Sequence, residues 1–212
     1  MDSILIGDLW TLRRARDWVV VPTNIGWKSD GTNPMGAGIA RKAADLFAPL
    51  PAWYGSLCQR YRSDLPTAAN PNWRLILFPT KPLNADAPHL SWRGPATLER
   101  IEMSLQGLRD LIPRLPYRGR ILLPLVGAGA GGLSSEMILG RLTVFQQADP
   151  QVHIVVHPAA AMSIPCPTCA IVEDGPECAD CGGSGKLLPK GYRPAGTPTF
   201  DDPLGLGFGD RR

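Results

Sequence analysis

The sequence predicts a three-layer α/β domain with helices on both faces of a mixed, mostly parallel sheet, followed by a small cysteine-rich appendage. Short apolar runs alternate with amphipathic stretches through the first 160 residues, which is typical of a parallel sheet covered by helices. Apolar runs without polar alternation indicate strands that are buried on both faces. The five predicted strands are residues 3–6, 18–21, 74–78, 121–125 and 152–156.

Three helices are predicted between these strands. Residues 39–47 and 134–145 each follow a glycine-rich turn. A further helix is expected to begin at Pro95, because proline is favoured at the first helical position. Its apolar residues recur at steps of three and four, which predicts one face packed on the sheet. That face consists of Leu98, Ile101, Leu105, Leu108 and Leu111.

The composition changes near residue 160. Glycine and proline supply 29 of the first 160 residues but 16 of the last 52, and the net charge falls from +5 to −2 across the same point. We therefore expect a domain over residues 1–160, a cysteine-rich segment over 161–190 and a disordered tail over 191–212. No apolar run approaches the roughly 20 residues needed to cross a bilayer, so we expect a cytoplasmic protein without a membrane partner.

Two glycine-rich turns are candidate anion sites. Residues 35–40 (MGAGIA) open a predicted helix, and residues 126–133 (VGAGAGGL) join a strand to a helix. Glycine allows the backbone to approach a phosphate, and amides at a helix start carry partial positive charge. Either turn could instead be a tight connection without a ligand. Gly127, Gly129 and Gly132 also match GxGxxG, but a dinucleotide fingerprint belongs on the first strand–helix unit of its domain, and this turn follows the fourth predicted strand.

Four segments together resemble the macro domain family over roughly residues 3–157. They are Gly7-Asp8-Leu9, the run VVVPTN ending at Asn24, MGAGIA and GAGAGGL, and their order and spacing match the family. The resemblance implies ADP-ribose binding, with Asp8 accepting the adenine amino group and both loops around the diphosphate and distal ribose. The implied contacts are Asp8, Leu9, Asn24, Met35, Gly36, Ala37, Gly38, Ile39, Val126, Gly127, Ala128, Gly129, Ala130, Gly131, Gly132 and Leu133.

A narrower resemblance concerns residues 77–81 (LFPTK), 91–94 (SWRG) and the helix that follows. These segments are similar to the DarG-type branch, antitoxin macro domains that remove ADP-ribose from thymidine in DNA. The resemblance implies that Lys81 is catalytic, that ADP-ribosylated DNA is the substrate, and that the source is bacterial or a phage. A related branch pairs this lysine with an aspartate, and Gly131 stands in that place. The alternatives are an ADP-ribose reader without catalysis and an ADP-ribose 1″-phosphate phosphatase.

Several residues keep alternative interpretations. A lysine amine beside the anomeric carbon could attack it or stabilise the leaving group, if burial and Arg93 lower its pKa; Lys81 could also merely pair with a phosphate. Asp8 could simply cap a helix. Residues 25–34 are longer than usual for the family, so Asn24 or Asn33 could lie near the distal ribose, and Asn24 is favoured. The inserted residues could form a flap over the substrate or a solvated loop.

The last segment contains two CxxC pairs, Cys166/Cys169 and Cys178/Cys181. Such pairs are typical of a structural zinc held by four thiolates in a zinc-ribbon-like fold. No metal is expected in catalysis. Four thiolates around one Zn²⁺ add about −2 to a segment whose net charge is already −2, so we expect a structural role or a protein partner here rather than nucleic acid. Cys58 stands alone and is predicted to be a buried apolar residue.

Overall fold

The computed structural model describes residues 4–171, Cys178 and residues 181–188. Its strands form one sheet in the order β1-β6-β5-β2-β4-β3, and every neighbouring pair is parallel except β3 and β4. The predicted α/β class with a mixed, mostly parallel sheet is confirmed. The strands are β1 (Ile4–Ile6), β2 (Trp18–Asn24), β3 (Ala68–Asn70), β4 (Leu75–Lys81), β5 (Ile121–Pro124) and β6 (Val152–Val156).

The three predicted helices are present, and the structure adds α3 (Leu50–Tyr61), α6 (Pro158–Ala161) and α7 (Pro167–Ile171), which the sequence pattern did not predict. The third predicted helix begins at Leu98 rather than Pro95, because the Thr97 hydroxyl accepts a hydrogen bond from the Arg100 amide (3.2 Å) and caps it. None of the described helices is long and apolar enough to cross a membrane. The helices are α1 (Leu9–Leu12), α2 (Gly38–Leu46), α3 (Leu50–Tyr61), α4 (Leu98–Leu111), α5 (Ser135–Ala148), α6 (Pro158–Ala161) and α7 (Pro167–Ile171).

Helices cover both faces of the sheet, and successive residues of β2 and β4 point to opposite layers. Trp18 and Val20 face the core under α4 and α5. Val19 and Val21 face the core under α2 and α3. All four side chains are fully buried. This is the packing expected of a central parallel strand, which reads as a continuous apolar run because neither face meets water.

The cysteine-rich segment packs against the main core. Ile164 and Leu187 are 2% and 8% exposed and belong to the same hydrophobic cluster as the residues under α4 and α5. The Leu187 amide donates to the Ile164 carbonyl (2.8 Å), and the Cys166 amide donates to the Gly185 carbonyl (3.0 Å). The expected tail over 191–212 and parts of the expected segment 161–190 lie outside the described residues, so the predicted boundaries stay predictions.

Candidate functional site

A cleft of about 660 Å³ opens at the carboxyl ends of β2, β4 and β5, where ligands bind in parallel α/β sheets. Each of these three strands is followed by a polar or glycine-rich segment, and the structure brings the three strand ends together. Lining residues come from those strand ends, both glycine loops and a turn of 3₁₀ helix at Pro88–Arg93. They include Asn24, Pro34, residues 36–40, Thr80, Lys81, Trp92, Arg93, Leu125 and residues 127–131.

A register shift between β2 and β4 positions Lys81. Thr23 pairs with Pro79, but the next residue, Asn24, pairs with Lys81, so Thr80 is an extra residue in β4. The buried Thr80 hydroxyl donates to the Thr23 carbonyl (3.1 Å) and fastens the bulge to the neighbouring strand. Bulges of this kind re-aim side chains near functional sites. Lys81 and Asn24 therefore lie side by side at the edge of the cleft.

The Lys81 amine is held between two backbone carbonyls. Its Nζ atom donates to the Trp92 oxygen (2.7 Å) and to the Ala130 oxygen (2.9 Å). Burial lowers the pKa of Lys81 from its usual value of 10.5, because desolvation disfavours the ammonium ion. Arg93 is not among the causes of the shift, so that part of the expectation is wrong. In the neutral form both N–H bonds are used, which leaves the lone pair unshared.

The second glycine loop adopts backbone conformations that other residues rarely reach. Gly127 and Gly129 have φ values of 83° and 58°. A Cβ on Gly127 would also lie 2.5 Å from Ile101 Cδ1, so another residue here would strain the backbone and displace the Ile101 side chain. Among the described residues, the amides of Gly129 and Ala130 have no backbone partner. These amides are available to an anion in the cleft.

The first glycine loop presents the start of α2 to the same cleft. Residues 36–40 line it, and α2 begins at Gly38 without a side-chain cap on Ala37. The first amides of a helix lack intrahelical acceptors and carry partial positive charge. Lys81 and Arg93 are the ionisable side chains among the described lining residues. The cleft is therefore electropositive and contains no carboxylate from the described lining.

Asn24 and Asn33 have different environments. Asn24 lines the cleft, while its Oδ1 accepts from the Gly26 amide (2.9 Å) and its Nδ2 donates to the Pro34 carbonyl (3.2 Å). One N–H of Asn24 remains for a ligand. Asn33 is 1% exposed, and its Nδ2 donates to the carbonyls of Asn24 (3.0 Å) and Gly26 (2.8 Å). Asn33 therefore supports the loop from beneath.

The inserted residues do not form a flap over this cleft. Trp27, Lys28 and Asp30 are absent from its lining. The Asp30 carboxylate instead accepts from the Thr32 amide (2.9 Å) and closes a turn. That turn lies against α3, where a Cβ on Gly55 would approach the Gly31 carbonyl oxygen to 2.1 Å.

Asp8 lines a second, smaller cleft that adjoins the first. Its Oδ1 accepts hydrogen bonds from the amides of Trp10 (3.0 Å) and Thr11 (2.9 Å), so Asp8 does cap α1. All of the bonds that the structure shows to this carboxylate use Oδ1, and Oδ2 is left for a ligand. The second cleft is lined by Asp8, Trp10, Thr11, Gly38, Ile39, Lys42 and His157. Gly38 and Ile39 line both clefts, so the two clefts are adjacent.

Not every residue implied by the family resemblance lies in these clefts. The side chains of Leu9, Met35 and Val126 are buried in the hydrophobic cores, and Leu133 packs against the core beneath α4 and α5. These positions shape the loops, and a ligand could reach them only through their backbone. Leu9, Met35, Val126, Gly132 and Leu133 line neither cleft.

Thr80 and Trp92 are site residues that sequence reasoning did not single out. Both lie in segments whose family resemblance was noticed, LFPTK and SWRG. The sequence carries no signal for the bulge at Thr80, because a register shift depends on the neighbouring strand. The sequence carries no comparable signal for Trp92, because it is eleven residues from Lys81 in the chain and its exposure is known only from the structure.

Gly131 leaves no room for a side chain. A Cβ at this position would lie 2.8 Å from the Ala96 Cβ, and the Gly131 carbonyl accepts from the Ala96 amide (2.9 Å). Ala96 is 4% exposed and has no flexible end that could move aside. The aspartate that the related branch carries here is therefore sterically excluded from this loop conformation.

The four cysteines of the two CxxC pairs form a compact cluster. All four Sγ atoms lie within 4.8 Å of one another. The Cys166–Cys178 and Cys169–Cys181 sulfur distances are 3.9 and 3.5 Å, and none of these cysteines is in a disulfide. A Zn–S bond of about 2.3 Å in tetrahedral geometry places sulfurs roughly 3.8 Å apart. The cluster could bind a metal ion such as zinc.

The fold is similar to that of solved macrodomain structures. No protein-family model and no curated protein matches the chain. Among solved structures it is similar to the macrodomain of Mycobacterium tuberculosis DarG, with 26% identity and a TM-score of 0.56 over 73% of this chain and 97% of that one. The macrodomain of Thermus aquaticus DarG shows 25% identity and a TM-score of 0.53 over 73% and 95%. The predicted resemblance to DarG macrodomains is confirmed.

A third structure supports the fold alone. It is Thermosipho africanus DarTG in complex with ADP-ribose, at 15% identity and a TM-score of 0.52. The match covers 74% of this chain and 42% of that chain.

Gly131→Ala should destabilise the protein by about 1–3 kcal/mol, the usual effect of an extra methyl group in a tightly packed site. Ala96→Gly removes the atom that the new Cβ would meet. Gly131→Ala should therefore cost less stability in the Ala96→Gly background than in the native protein. Urea unfolding of the four proteins measures the coupling. Strictly additive effects would contradict the predicted clash.

Proposed function

We propose that this chain binds ADP-ribose and removes it from a modified nucleic acid, with thymidine in DNA as the favoured acceptor. The similarity to two DarG macrodomains supports the proposal of an ADP-ribose-binding macrodomain. The observation that carries the hydrolytic step is the Lys81 amine, held by the carbonyls of Trp92 and Ala130 at the edge of the cleft.

The two adjoining clefts share Gly38 and Ile39, so one ligand could extend from one cleft into the other. In the proposed arrangement the adenine lies by Asp8, the diphosphate crosses Gly38 and Ile39, and the distal ribose enters the larger cleft beside Asn24 and Lys81. The amides of both glycine loops receive the diphosphate, because neutral dipoles at loop and helix starts bind anions without a counter-charge.

The proposed chemistry uses the neutral form of Lys81. Its lone pair forms a bond to the anomeric carbon while the bond to the base breaks. The base leaves with the electron pair of the broken bond and takes the proton that the attacking amine loses. Water then cleaves the lysine adduct, which returns free ADP-ribose and the amine. Reduction with borohydride would trap an open-chain imine form of this adduct, whereas an amine that merely stabilises the leaving group would give no adduct.

A reader without catalysis is the second candidate. It is favoured by the absence of a carboxylate among the described lining residues of the larger cleft and by the steric exclusion of one at Gly131. A reader would bind ADP-ribose with the same clefts and release nothing from the modified strand.

Lys81→Ala should lower the release of ADP-ribose from a thymidine-modified single-stranded oligonucleotide by about 10²- to 10⁴-fold or more. That range is typical of the loss of a general acid or base, and losing a nucleophile should cost at least as much. Binding of free ADP-ribose should change little, because the loop amides hold the diphosphate. The matched control is Lys28→Ala, an exposed lysine outside both clefts. Equal release by native protein and Lys81→Ala would exclude this residue, and no release by native protein would favour the reader.

The rate of the cleavage step should rise with pH and level off above the pKa of Lys81, which burial holds below the usual 10.5. The sign follows from the reactive form, since the ammonium ion loses its proton as the pH rises. Single-turnover rates between pH 6 and 9, with the enzyme in saturating excess over the substrate, measure the profile. A rate that falls with rising pH would show that the protonated lysine is the active form.

We also propose that the four clustered cysteines hold one structural zinc ion. The thiolate set and its sulfur spacing suit Zn²⁺, and so short a segment cannot bury a core of its own. Closing it around a metal would orient Leu187 for its place in the main core. The segment then serves structure or a protein contact, as its negative charge indicates.

Metal analysis of the purified chain should find about one zinc ion per molecule. Cys169→Ser should lower that content, whereas Cys58→Ala should not, because Cys58 is buried far from the cluster in another core. Chelation should lower the Tm of the whole chain, since metal binding is coupled to folding. A chain that lacks metal and keeps its Tm under chelator would refute the site.

A further inference from the structure

The side chain of Trp92 lines the larger cleft and has no role in the proposed function. Its side chain is 44% exposed at the mouth of the larger cleft. An aromatic side chain that lines a ligand cleft offers a flat surface on which a planar group can stack. Trp92 directly precedes Arg93 in the chain. Its backbone carbonyl is one of the two that accept a hydrogen bond from the Lys81 amine.

The segment that carries Trp92 is held in place from several sides. Ser91 is 2% exposed, and its hydroxyl accepts from the Asn84 amide (2.9 Å). A Cβ on Gly26 would lie 2.0 Å from the Pro88 carbonyl oxygen, so the inserted loop packs directly on this turn. The Trp92 carbonyl is fixed by the Lys81 amine. An exposed aromatic ring on an anchored segment is pre-organised for a partner.

The chemistry around the ring points to a planar, negatively charged partner. The Arg93 guanidinium carbon lies 5.2 Å from the centre of the Trp92 ring. A guanidinium group binds phosphate well, and an indole stacks on any nucleobase. The described lining carries no carboxylate that would repel a phosphate. A peptide acceptor would need neither the flat aromatic surface nor the adjacent arginine.

We propose that Trp92 stacks on the acceptor nucleobase while its ADP-ribose lies in the cleft, and that Arg93 binds a phosphate of the same strand. This inference rests on the proposed function and deepens it, because it assigns the acceptor side of the site. The base bonded to the anomeric carbon lies beside Lys81, and the Trp92 carbonyl already contacts the Lys81 amine. Trp92 thus contributes specificity for a nucleobase leaving group.

The test is equilibrium binding in a Lys81→Ala background, which prevents cleavage. The probes are a single-stranded oligonucleotide with ADP-ribose on one thymidine, and free ADP-ribose. Adding Trp92→Ala should weaken binding of the modified oligonucleotide by about 5- to 100-fold, the effect of one lost stacking contact. Affinity for free ADP-ribose should stay within about twofold on the same argument, and Trp92→Phe should restore part of the loss.

Tyr117→Ala is the matched control, since this aromatic side chain is 49% exposed and lines neither cleft. The proposal is overturned if Trp92→Ala behaves like Tyr117→Ala, or if it weakens free ADP-ribose as much as the modified oligonucleotide. Turnover by the native chain is measured separately. If native protein binds both probes but cleaves neither, hydrolysis fails while the binding comparison still decides the role of Trp92. Absence of binding to either probe would overturn both.

Discussion

The candidate site depends on the extra residue in β4. Strand side chains alternate with a period of two, so one added residue changes which face the following side chain meets. Thr80 is that residue, and its bond to the Thr23 carbonyl keeps the two strands paired through the shift. Lys81 then ends opposite Asn24, where the carbonyls of two separate loops reach its amine. Two strands, the turn before α4 and the second glycine loop thus meet at one nitrogen atom.

The electrostatics of the cleft impose a conflict that the loops resolve. A diphosphate close to Lys81 would stabilise its ammonium form and raise the pKa that burial lowers. Backbone amides of the glycine loops offer an alternative anion site with no full charge and no side chain. In the proposed function, a diphosphate held by these amides would leave Lys81 near the sugar carbon and closer to neutrality. That arrangement would account for glycine in the second loop, where Gly127 and Gly129 have positive φ values.

The sequence predicted what depends on local periodicity and missed what depends on distant neighbours. The five predicted strands and the amphipathic α4 are present because burial on one or both faces leaves a direct pattern. The short β3 carries no such pattern, and α3 contains Gly55, which is required by the approaching Gly31 carbonyl rather than by the helix itself. In the same way, the family resemblance identified the loops of the site. It could not separate residues lining the clefts from Leu9 and Met35, whose side chains fill the core behind them.

The cysteine-rich segment is connected to the site through packing that continues past residue 160. The short α6 starts after His157, which lines the second cleft beside Asp8. It ends at Ala161, whose carbonyl accepts a hydrogen bond from the Leu188 amide (3.3 Å). Ile164 and Leu187 then enter the core under α5. The short α6 thus joins the wall of the Asp8 cleft to the chain that leads into the four cysteines. The composition changes near residue 160, but residues on both sides of that point pack in one hydrophobic core.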